Sequence, residues 1–232
     1  SIQNSIIKSL TRTLQEKNIE TEIHSTRVAD FSLKLGRLLK LSNAKIDELM
    51  LLSKLHDIGK VAVSEDILKK EAKLDAYEWE TIKKHSEIGY RIASTSPLLQ
   101  PIANYILHHH EWWNGKGYPH RLSATGIPIA ARITAVVDVF DALTHIRPYK
   151  PAWPVSQALH EIRTLRGVQF DPDITDLFLQ IVPRLQREVG DLDEFLGAEA
   201  KNSPFIQARA RIARALKGED GSGVAVSFDA RR

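Results

Sequence analysis

The sequence predicts an all-α protein, a compact helical bundle with an additional helical tail at its C-terminal end. Apolar residues recur every three or four positions along almost the whole chain, which is the spacing of one buried helix face. No run of alternating apolar and polar residues, the pattern of a half-buried strand, extends beyond a few positions. Residues that start and stop helices divide the periodic pattern into separate segments.

Helix-capping residues place the predicted helices along the chain. Asn43 is a suitable N-cap, and Gly59 ends the helix that it begins. Asp75 and Glu78 form a capping-box pattern, and Pro101 suits the first turn of a helix. The predicted helices span residues 4–17, 20–39, 43–58, 75–93, 101–111, 129 through 141, 155–165 and 173–188, with a loop rich in Gly, Asn and Pro at 112–128.

Length and composition predict one main domain followed by an extension. A chain of 232 residues with 43% hydrophobic residues can bury one substantial core. We expect the domain to span residues 1–190. The extension, residues 191–232, contains a basic segment at 204–217 that is suited to a helix and then a flexible, glycine-containing end.

Charge and cysteine content narrow the function. The 32 Lys and Arg against 29 Asp and Glu give a formal charge of +3, which is too small for a surface that binds DNA or RNA. Without cysteine there is no disulfide or thiolate ligand, so nitrogen and oxygen must bind any metal, which favours iron or manganese. The longest apolar stretch, 133–143, is interrupted by Asp138 and Asp141, and no signal-peptide pattern opens the chain. A cytoplasmic protein without a membrane span is expected.

Six of the nine histidines lie where a predicted buried helix face turns polar. His56, for example, shares a helix face with Leu49 and Ser53. Asp57 follows it directly. A single inward histidine is most often a core residue that has found hydrogen-bond partners, and this alternative stays open for each position taken alone.

The other histidines lie beside an acid or beside one another. Glu20 and His24 are four residues apart, so on a helix they project together, either toward one ion or as an exposed polar pair. His109 and His110 diverge by about 100° on a helix and would reach ions from different directions. His108 is the surplus member of this run.

Asp138 lies on a predicted helix face of small residues that includes Ala131 and Ala135. A carboxylate buried among alanines is costly unless it is paired or bound to a metal ion. Asp141 lies on the same face and competes for that role.

Together these residues offer more ligands than one ion uses. Because a carboxylate is available to bridge, two or three divalent transition-metal ions are predicted. Neighbouring ions activate a bridging water and neutralise charge on the attacking and leaving oxygens during displacement at phosphorus, so phosphoester hydrolysis is favoured. The candidate ligands are Glu20, His24, His56, Asp57, His85, His109, His110 and Asp138.

Basic and aromatic residues supply candidate contacts to a substrate. Lys60 follows Asp57 by three residues, where its ammonium can reach a phosphate oxygen of a metal-bound substrate; an ordinary surface lysine is the alternative. Arg147 and Lys150 are placed to bind a second phosphate, or they belong to a solvated turn. The segment 112–119 has glycines that permit close backbone approach and aromatic rings that stack on a purine or simply fill the core.

The order and spacing of six motifs resemble the HD-GYP subgroup of the HD phosphohydrolases: HSTRV, HDIGK, KKHSEIG, HHHEWWNGKGYP, DVFDALT and RPYK. The resemblance covers about residues 20–181. It implies a helical fold of the HD-domain type and a metal centre of histidines and carboxylates, with iron or alternatively manganese. It also implies hydrolysis of cyclic di-GMP to linear pGpG and then GMP, through a hydroxide that bridges the ions.

By position, the resemblance implies roles for single residues. Asp57 would bridge the ions, and Glu20 matches a position that in some members is similar to a ligand of a third ion. The other implied ligands are His24, His56, His85, His109, His110 and Asp138. Lys60, Arg147 and Lys150 match positions that contact substrate phosphates, and Tyr118 belongs to the signature loop, so Asp57 and Lys60 are the residues expected to act in catalysis.

Small departures from the family pattern, Asn114 before the loop glycine and His145 with Ile146, remove no ligand. One alternative is a regulatory module whose Gly-Tyr-Pro loop and basic tail bind a GGDEF-type cyclase. The tail is also a candidate for a homodimer contact. Another alternative keeps the enzyme and changes its substrate to a different cyclic dinucleotide. The intact ligand set favours the enzyme.

Overall fold

The computed structural model of the protein describes residues 22–70, 72–145 and 152–189. Within these ranges the chain is helical and contains no strand beyond two isolated bridges, so the all-α prediction is confirmed. Two 3-10 turns cover Ile58–Ala62 and Ala124–Gly126. The helices are α1 (Glu22–Leu38), α2 (Asn43–Leu55), α3 (Glu65–Leu68), α4 (Ala76–Lys83), α5 (His85–Ser94), α6 (Gln100–His108), α7 (Ile129–Thr144), α8 (Val155–Thr164) and α9 (Pro172–Val189).

A buried apolar core joins α1, α7 and α9. Phe31, Phe140 and Phe178 lie in one cluster, with ring centroids 5.7 Å, 5.8 Å and 5.0 Å apart. All three side chains are at most 3% exposed. Aromatic pairs at these separations contribute about 0.5–1.5 kcal/mol each beyond their buried area. The core therefore holds α1 firmly against α7, and both helices carry candidate ligands.

A close backbone contact brings the first 3-10 turn against α5. A Cβ atom at Gly59 would overlap the carbonyl of His85 and would lie 2.6 Å from the amide nitrogen of Gly89. Only glycine permits this approach, because it has no Cβ. The contact places Asp57, at the start of the turn, next to the first residue of α5.

Several helices end earlier than predicted, at positions that matter for the site. Helix α2 ends at Leu55 rather than at 58, and Ser42 rather than Asn43 is its N-cap, since the Ser42 side chain accepts a hydrogen bond from the Lys45 amide. Helix α6 ends at His108 rather than near 111. After α2 the chain continues into the 3-10 turn that contains Gly59.

The predicted helix over 75–93 is two helices. Its capping box at Asp75 and Glu78 is confirmed, but Lys84, with φ −63° and ψ −14°, separates α4 from α5. The starts of α7, α8 and α9 fall within one residue of prediction. The predicted helix at 4–17 and the extension at 191–232 lie outside the described residues. No helix in the described ranges combines the length and apolar character needed to cross a membrane.

Candidate metal centre

Three histidines at helix ends share one hydrogen-bonding pattern. In each, Nδ1 lies against the backbone carbonyl three residues earlier in the chain. A carbonyl oxygen can only accept, so Nδ1 carries the proton and Nε2 presents a lone pair, which is the form that binds metal ions. The distances are 3.2 Å for His56 to Ser53, 2.6 Å for His85 to Ile82, and 2.6 Å for His109 to Ile106.

The first group of donors is the four-residue cluster of Asp57, His85, His109 and His110, whose donor atoms all lie within 4.8 Å of one another. Nε2 of His85 is 3.3 Å from Nε2 of His109. Oδ1 of Asp57 is 3.2 Å from the first of these nitrogens and 4.0 Å from the second. Separations of this size suit atoms that bind one shared ion.

The second group is the three-residue cluster of His24, His56 and Asp138, also within 4.8 Å. Oδ1 of Asp138 is 3.5 Å from Nε2 of His24 and 3.7 Å from Nε2 of His56. His24 comes from α1, His56 caps α2, and Asp138 comes from α7. The packing of α1, α2 and α7 on one shared apolar core therefore assembles the three donors.

Asp57 faces both clusters. Its Oδ1 atom points at the four-residue cluster, and its Oδ2 atom is 3.6 Å from Nε2 of His56 in the three-residue cluster. A carboxylate with one oxygen toward each group has the geometry of a bridging ligand, which is the arrangement implied for Asp57 by the sequence resemblance.

The residues fit divalent metal ions. The lone pairs on Nε2 of His85 and Nε2 of His109 point toward each other and repel. A cation between the two atoms removes this repulsion. Protonation does not relieve it at His109, because burial, with His110 as the next cause, holds the pKa of His109 well below its usual value. Oδ1 of Asp57 is buried and accepts no geometrically sound hydrogen bond from the described residues. Such a donor set of imidazole and carboxylate matches iron, manganese or zinc.

Charge in the centre keeps Asp57 and Asp138 ionised, and burial keeps His109 and His110 neutral. Burial alone would raise the pKa of Asp57, but Lys60, and then His56 and His85, hold that pKa well below its usual value. Burial likewise opposes ionisation of Asp138, yet its contacts with His56 and His24 hold its pKa low. Burial, with His85 as the next cause, lowers the pKa of His110 to about 3. These two carboxylates, and His109 and His110, are thus in the protonation state that binds metal.

Asp138 and Asp141, which competed for one role in the sequence, have different positions. Asp138 belongs to the three-residue cluster, and its side chain is 22% exposed. Asp141 belongs to neither cluster. Its Oδ2 atom accepts a hydrogen bond from Nδ1 of His24 at 2.5 Å, on the far side of that ring from Asp138.

Lys60 lies beyond the end of α2, as the sequence predicted, and inside the first 3-10 turn. Its ammonium contacts Oδ2 of Asp57, and its side chain is 21% exposed. The cation is therefore at the solvent-facing edge of the Asp57 carboxylate.

Tyr118 covers His110. The two rings are stacked, with centroids 4.9 Å apart and planes 23° from parallel, and Nζ of Lys83 is 5.8 Å from the tyrosine ring. Burial, together with the charges of Asp57 and Asp138, raises the pKa of Tyr118, so the phenol stays protonated. A groove of about 750 Å³ opens beside this ring and is also lined by Trp79 and Trp112.

Sequence reasoning missed Glu111, which anchors the signature loop. The side chain is 2% exposed, and its two oxygens accept hydrogen bonds from the amides of His120 at 2.7 Å and Leu122 at 3.0 Å. Its only signal in the sequence was an acid directly after three histidines. His108, left out as surplus, lies outside both clusters and contacts His120 at 3.0 Å.

Three candidate residues, Glu20, Arg147 and Lys150, lie outside the described residues. The other predicted ligands, His24, His56, Asp57, His85, His109, His110 and Asp138, all belong to the two clusters.

Comparison with known proteins places this centre in a family context. A sequence model of the HD-domain family matches residues 8–174. A 3'3'-cGAMP-specific phosphodiesterase of Vibrio cholerae is 40% identical over 177 residues, which are 75% of this chain and 34% of that protein. A cyclic di-GMP phosphodiesterase of Thermotoga maritima is 36% identical over 189 residues, which are 81% of this chain and 50% of that protein. The chain thus spans between a third and a half of the length of these relatives.

A crystal structure of a cyclic GMP-AMP-specific phosphodiesterase from Vibrio cholerae is similar in fold. The TM-score is 0.56 at 21% sequence identity, and the match covers 94% of this chain and 61% of that chain. At this identity the likeness shows a common fold and nothing finer.

Proposed function

The chain belongs to the HD-domain family, of the HD-GYP type, and we propose that it is a metal-dependent phosphodiesterase that hydrolyses cyclic di-GMP. One observation carries the proposal: seven nitrogen and oxygen donors form two adjacent clusters with a single carboxylate, Asp57, facing both. Two ions share such a centre naturally. The proposal is two ions, or three with Glu20 as a ligand of the third, and iron, alternatively manganese, as the metal.

Two adjacent ions, when bound, supply Lewis-acid stabilisation and an activated water for in-line displacement at phosphorus. Asp57 holds the two clusters at a fixed separation, because each of its oxygens faces a different one. The three carbonyl-bonded histidines keep their Nε2 atoms aimed inward before any ion arrives. The protein thereby provides a preorganised site whose geometry does not depend on the substrate.

Lys60 is the described cation best placed to bind the substrate. Its ammonium lies at the exposed edge of Asp57, so a phosphate oxygen that approaches the centre from solvent meets it first. Arg147 and Lys150 extend the proposal to a second phosphate. Tyr118, stacked on His110, limits the access of water to that side of the centre.

The proposed reaction opens one phosphodiester bond of cyclic di-GMP to give pGpG, and a second hydrolysis then gives GMP. The relative in Thermotoga maritima, named for cyclic di-GMP, supports this substrate. A second candidate is 3'3'-cGAMP, because the relative with 40% identity is named for it. The two differ in one base, so side-by-side rates distinguish them.

The test is an assay of the protein loaded anaerobically with Fe²⁺, or with Mn²⁺, using both dinucleotides and separating products over time. We expect turnover that disappears on chelation and in Asp57→Asn. His108→Ala is the matched control, because this histidine adjoins the ligands but lies outside both clusters. Absence of turnover with either metal, at confirmed occupancy, contradicts the proposal. Faster hydrolysis of 3'3'-cGAMP moves it to the second substrate.

A further inference from the structure

His24 differs from His56, His85 and His109 in the group that bonds to its second ring nitrogen, Nδ1. Nδ1 of His56, His85 and His109 bonds to a neutral backbone carbonyl, whereas Nδ1 of His24 bonds to the carboxylate of Asp141 at 2.5 Å. A carboxylate draws the Nδ1 proton more strongly than a carbonyl does. This increases electron density at Nε2 and makes the ring a stronger metal ligand.

Asp141 is itself held rigidly. Its side chain is buried, with the whole residue 3% exposed. Arg27 binds it through both arms of the guanidinium: Nε is 2.5 Å from Oδ1, and Nη2 is 3.0 Å from Oδ2. Nδ1 of His145 is 3.3 Å from Oδ1. A forked pair of this kind fixes the plane of the carboxylate as well as its position.

The contact between His24 and Asp141 lies beside the cluster that has fewer donor atoms. The cluster that contains His24 has three donors, whereas the other has four, and Asp57 also turns an oxygen toward each. An ion with fewer protein ligands depends more on the strength and the aim of each one. Arg27 and Asp141 contribute no donor atom to either cluster, so any effect they have must pass through His24.

We propose that Asp141, fixed by Arg27, is a positioning residue that sets the affinity of the three-residue cluster for its ion. The inference rests on the proposed metal centre but goes beyond it, because it makes the two ions unequal. Loss of the Asp141 contact weakens one ion selectively and leaves the ion of the four-residue cluster in place. A general structural role would instead weaken both ions or neither.

The experiment is a titration of the metal-free protein with Mn²⁺, followed by calorimetry, which gives the number of sites per chain and the affinity of each. The variant is Asp141→Asn, which keeps the side-chain shape but removes the charge. Asp171→Asn is the matched control, since Asp171 is 4% exposed and also paired with an arginine, Arg132, away from both clusters. Arg27→Lys is a milder second variant that keeps the charge and loses the fork.

In Asp141→Asn we expect one site to weaken about 10- to 100-fold, the range typical of lost partners behind a metal-binding histidine, with the other site unchanged. Arg27→Lys should weaken the same site by less. In a titration with Co²⁺, the visible absorption of the variant should be weaker than that of wild type for one of the two equivalents and unchanged for the other. The control should melt at a lower temperature yet keep both affinities.

Equal affinities in wild type and both variants overturn the inference while leaving the proposed function intact. So does an equal loss at both sites, which marks a general packing defect. A wild-type protein that binds no divalent ion at all contradicts the proposed function itself. If Asp141→Asn does not fold, Arg27→Lys decides the question by the same comparison.

Discussion

Gly59→Ala tests whether the close approach of the 3-10 turn to α5 builds the metal centre. The added Cβ would overlap the carbonyl of His85 and lie 2.6 Å from the amide nitrogen of Gly89. Both are backbone atoms, so no side chain can rotate away to make room. The turn and α5 must move apart.

The size of the movement follows from contact distances. An ordinary Cβ contact begins at 3.4 Å, so relief at Gly89 alone requires 3.4 − 2.6 = 0.8 Å, and the His85 carbonyl requires more. Metal-ligand distances tolerate only about ±0.2 Å. Asp57 and His85, now 3.2 Å apart, stand on the two segments that separate, so the four-residue cluster should bind its ion poorly. Overpacking of this kind costs about 1–3 kcal/mol of folding free energy.

The assay combines thermal unfolding of the metal-free protein with a Mn²⁺ titration. At about 2–4 °C per kcal/mol, Gly59→Ala should melt about 2–12 °C below wild type, and it should bind at least one ion fewer. Gly126→Ala is the matched control, because a Cβ there meets no atom within 4 Å and its melting temperature should hold or rise. A Gly59→Ala protein with wild-type melting and full metal binding would refute the reasoning.

Three further outcomes are expected. Lys60→Ala should keep the metal content and lower kcat/KM by about 10- to 150-fold, because one charge-assisted phosphate contact is lost, as steady-state kinetics and elemental analysis can show. Phe178→Ala should destabilise the protein by about 3–5 kcal/mol in urea unfolding, since it removes the side chain that contacts both other rings of the core cluster. The metal-free protein should lose stability between pH 6.5 and 3, because unfolded His110 takes up a proton that the folded chain, with its pKa about 3, does not.

Each of these expectations has a clear contrary result. Unchanged kinetics in Lys60→Ala would mean that Lys60 is an ordinary surface lysine that does not contact the substrate. A loss of unfolding free energy below about 1 kcal/mol in Phe178→Ala, far under the range for truncating a buried aromatic residue, would mean that the core repacks around the gap. Equal urea midpoints for the metal-free protein at pH 7 and pH 5 would mean that His110 and its neighbours titrate as exposed histidines do.

The residue types of the centre were predictable because polar groups on an apolar face are conspicuous in a sequence. Asp138 illustrates this, since its alanine-rich face left few explanations other than pairing or metal binding. Helix periodicity also placed α7, α8 and α9 within one residue at their starts. Local signals sufficed wherever a helix was bounded by its own neighbours in the chain.

The parts that could not be predicted depend on contacts between distant segments. The contact of Gly59 with α5, just beyond the early end of α2, joins segments that are separate in the chain. The different positions of Asp138 and Asp141 follow from Arg27, 114 residues earlier, which occupies one carboxylate and not the other. Periodicity assigns both acids to one face and contains no information about which partner each will meet.

The ring-to-carbonyl bonds of His56, His85 and His109 also have a consequence for how helix length relates to chemistry. Each accepting carbonyl belongs to the last turn of a helix. The imidazole therefore bonds to the end of a helix, and the same bond aims Nε2 at the centre. Inserting or deleting one residue in any of these helices would rotate its end by about 100° and lose both at once. Helix lengths in this protein should thus tolerate far less variation than the loops that join them.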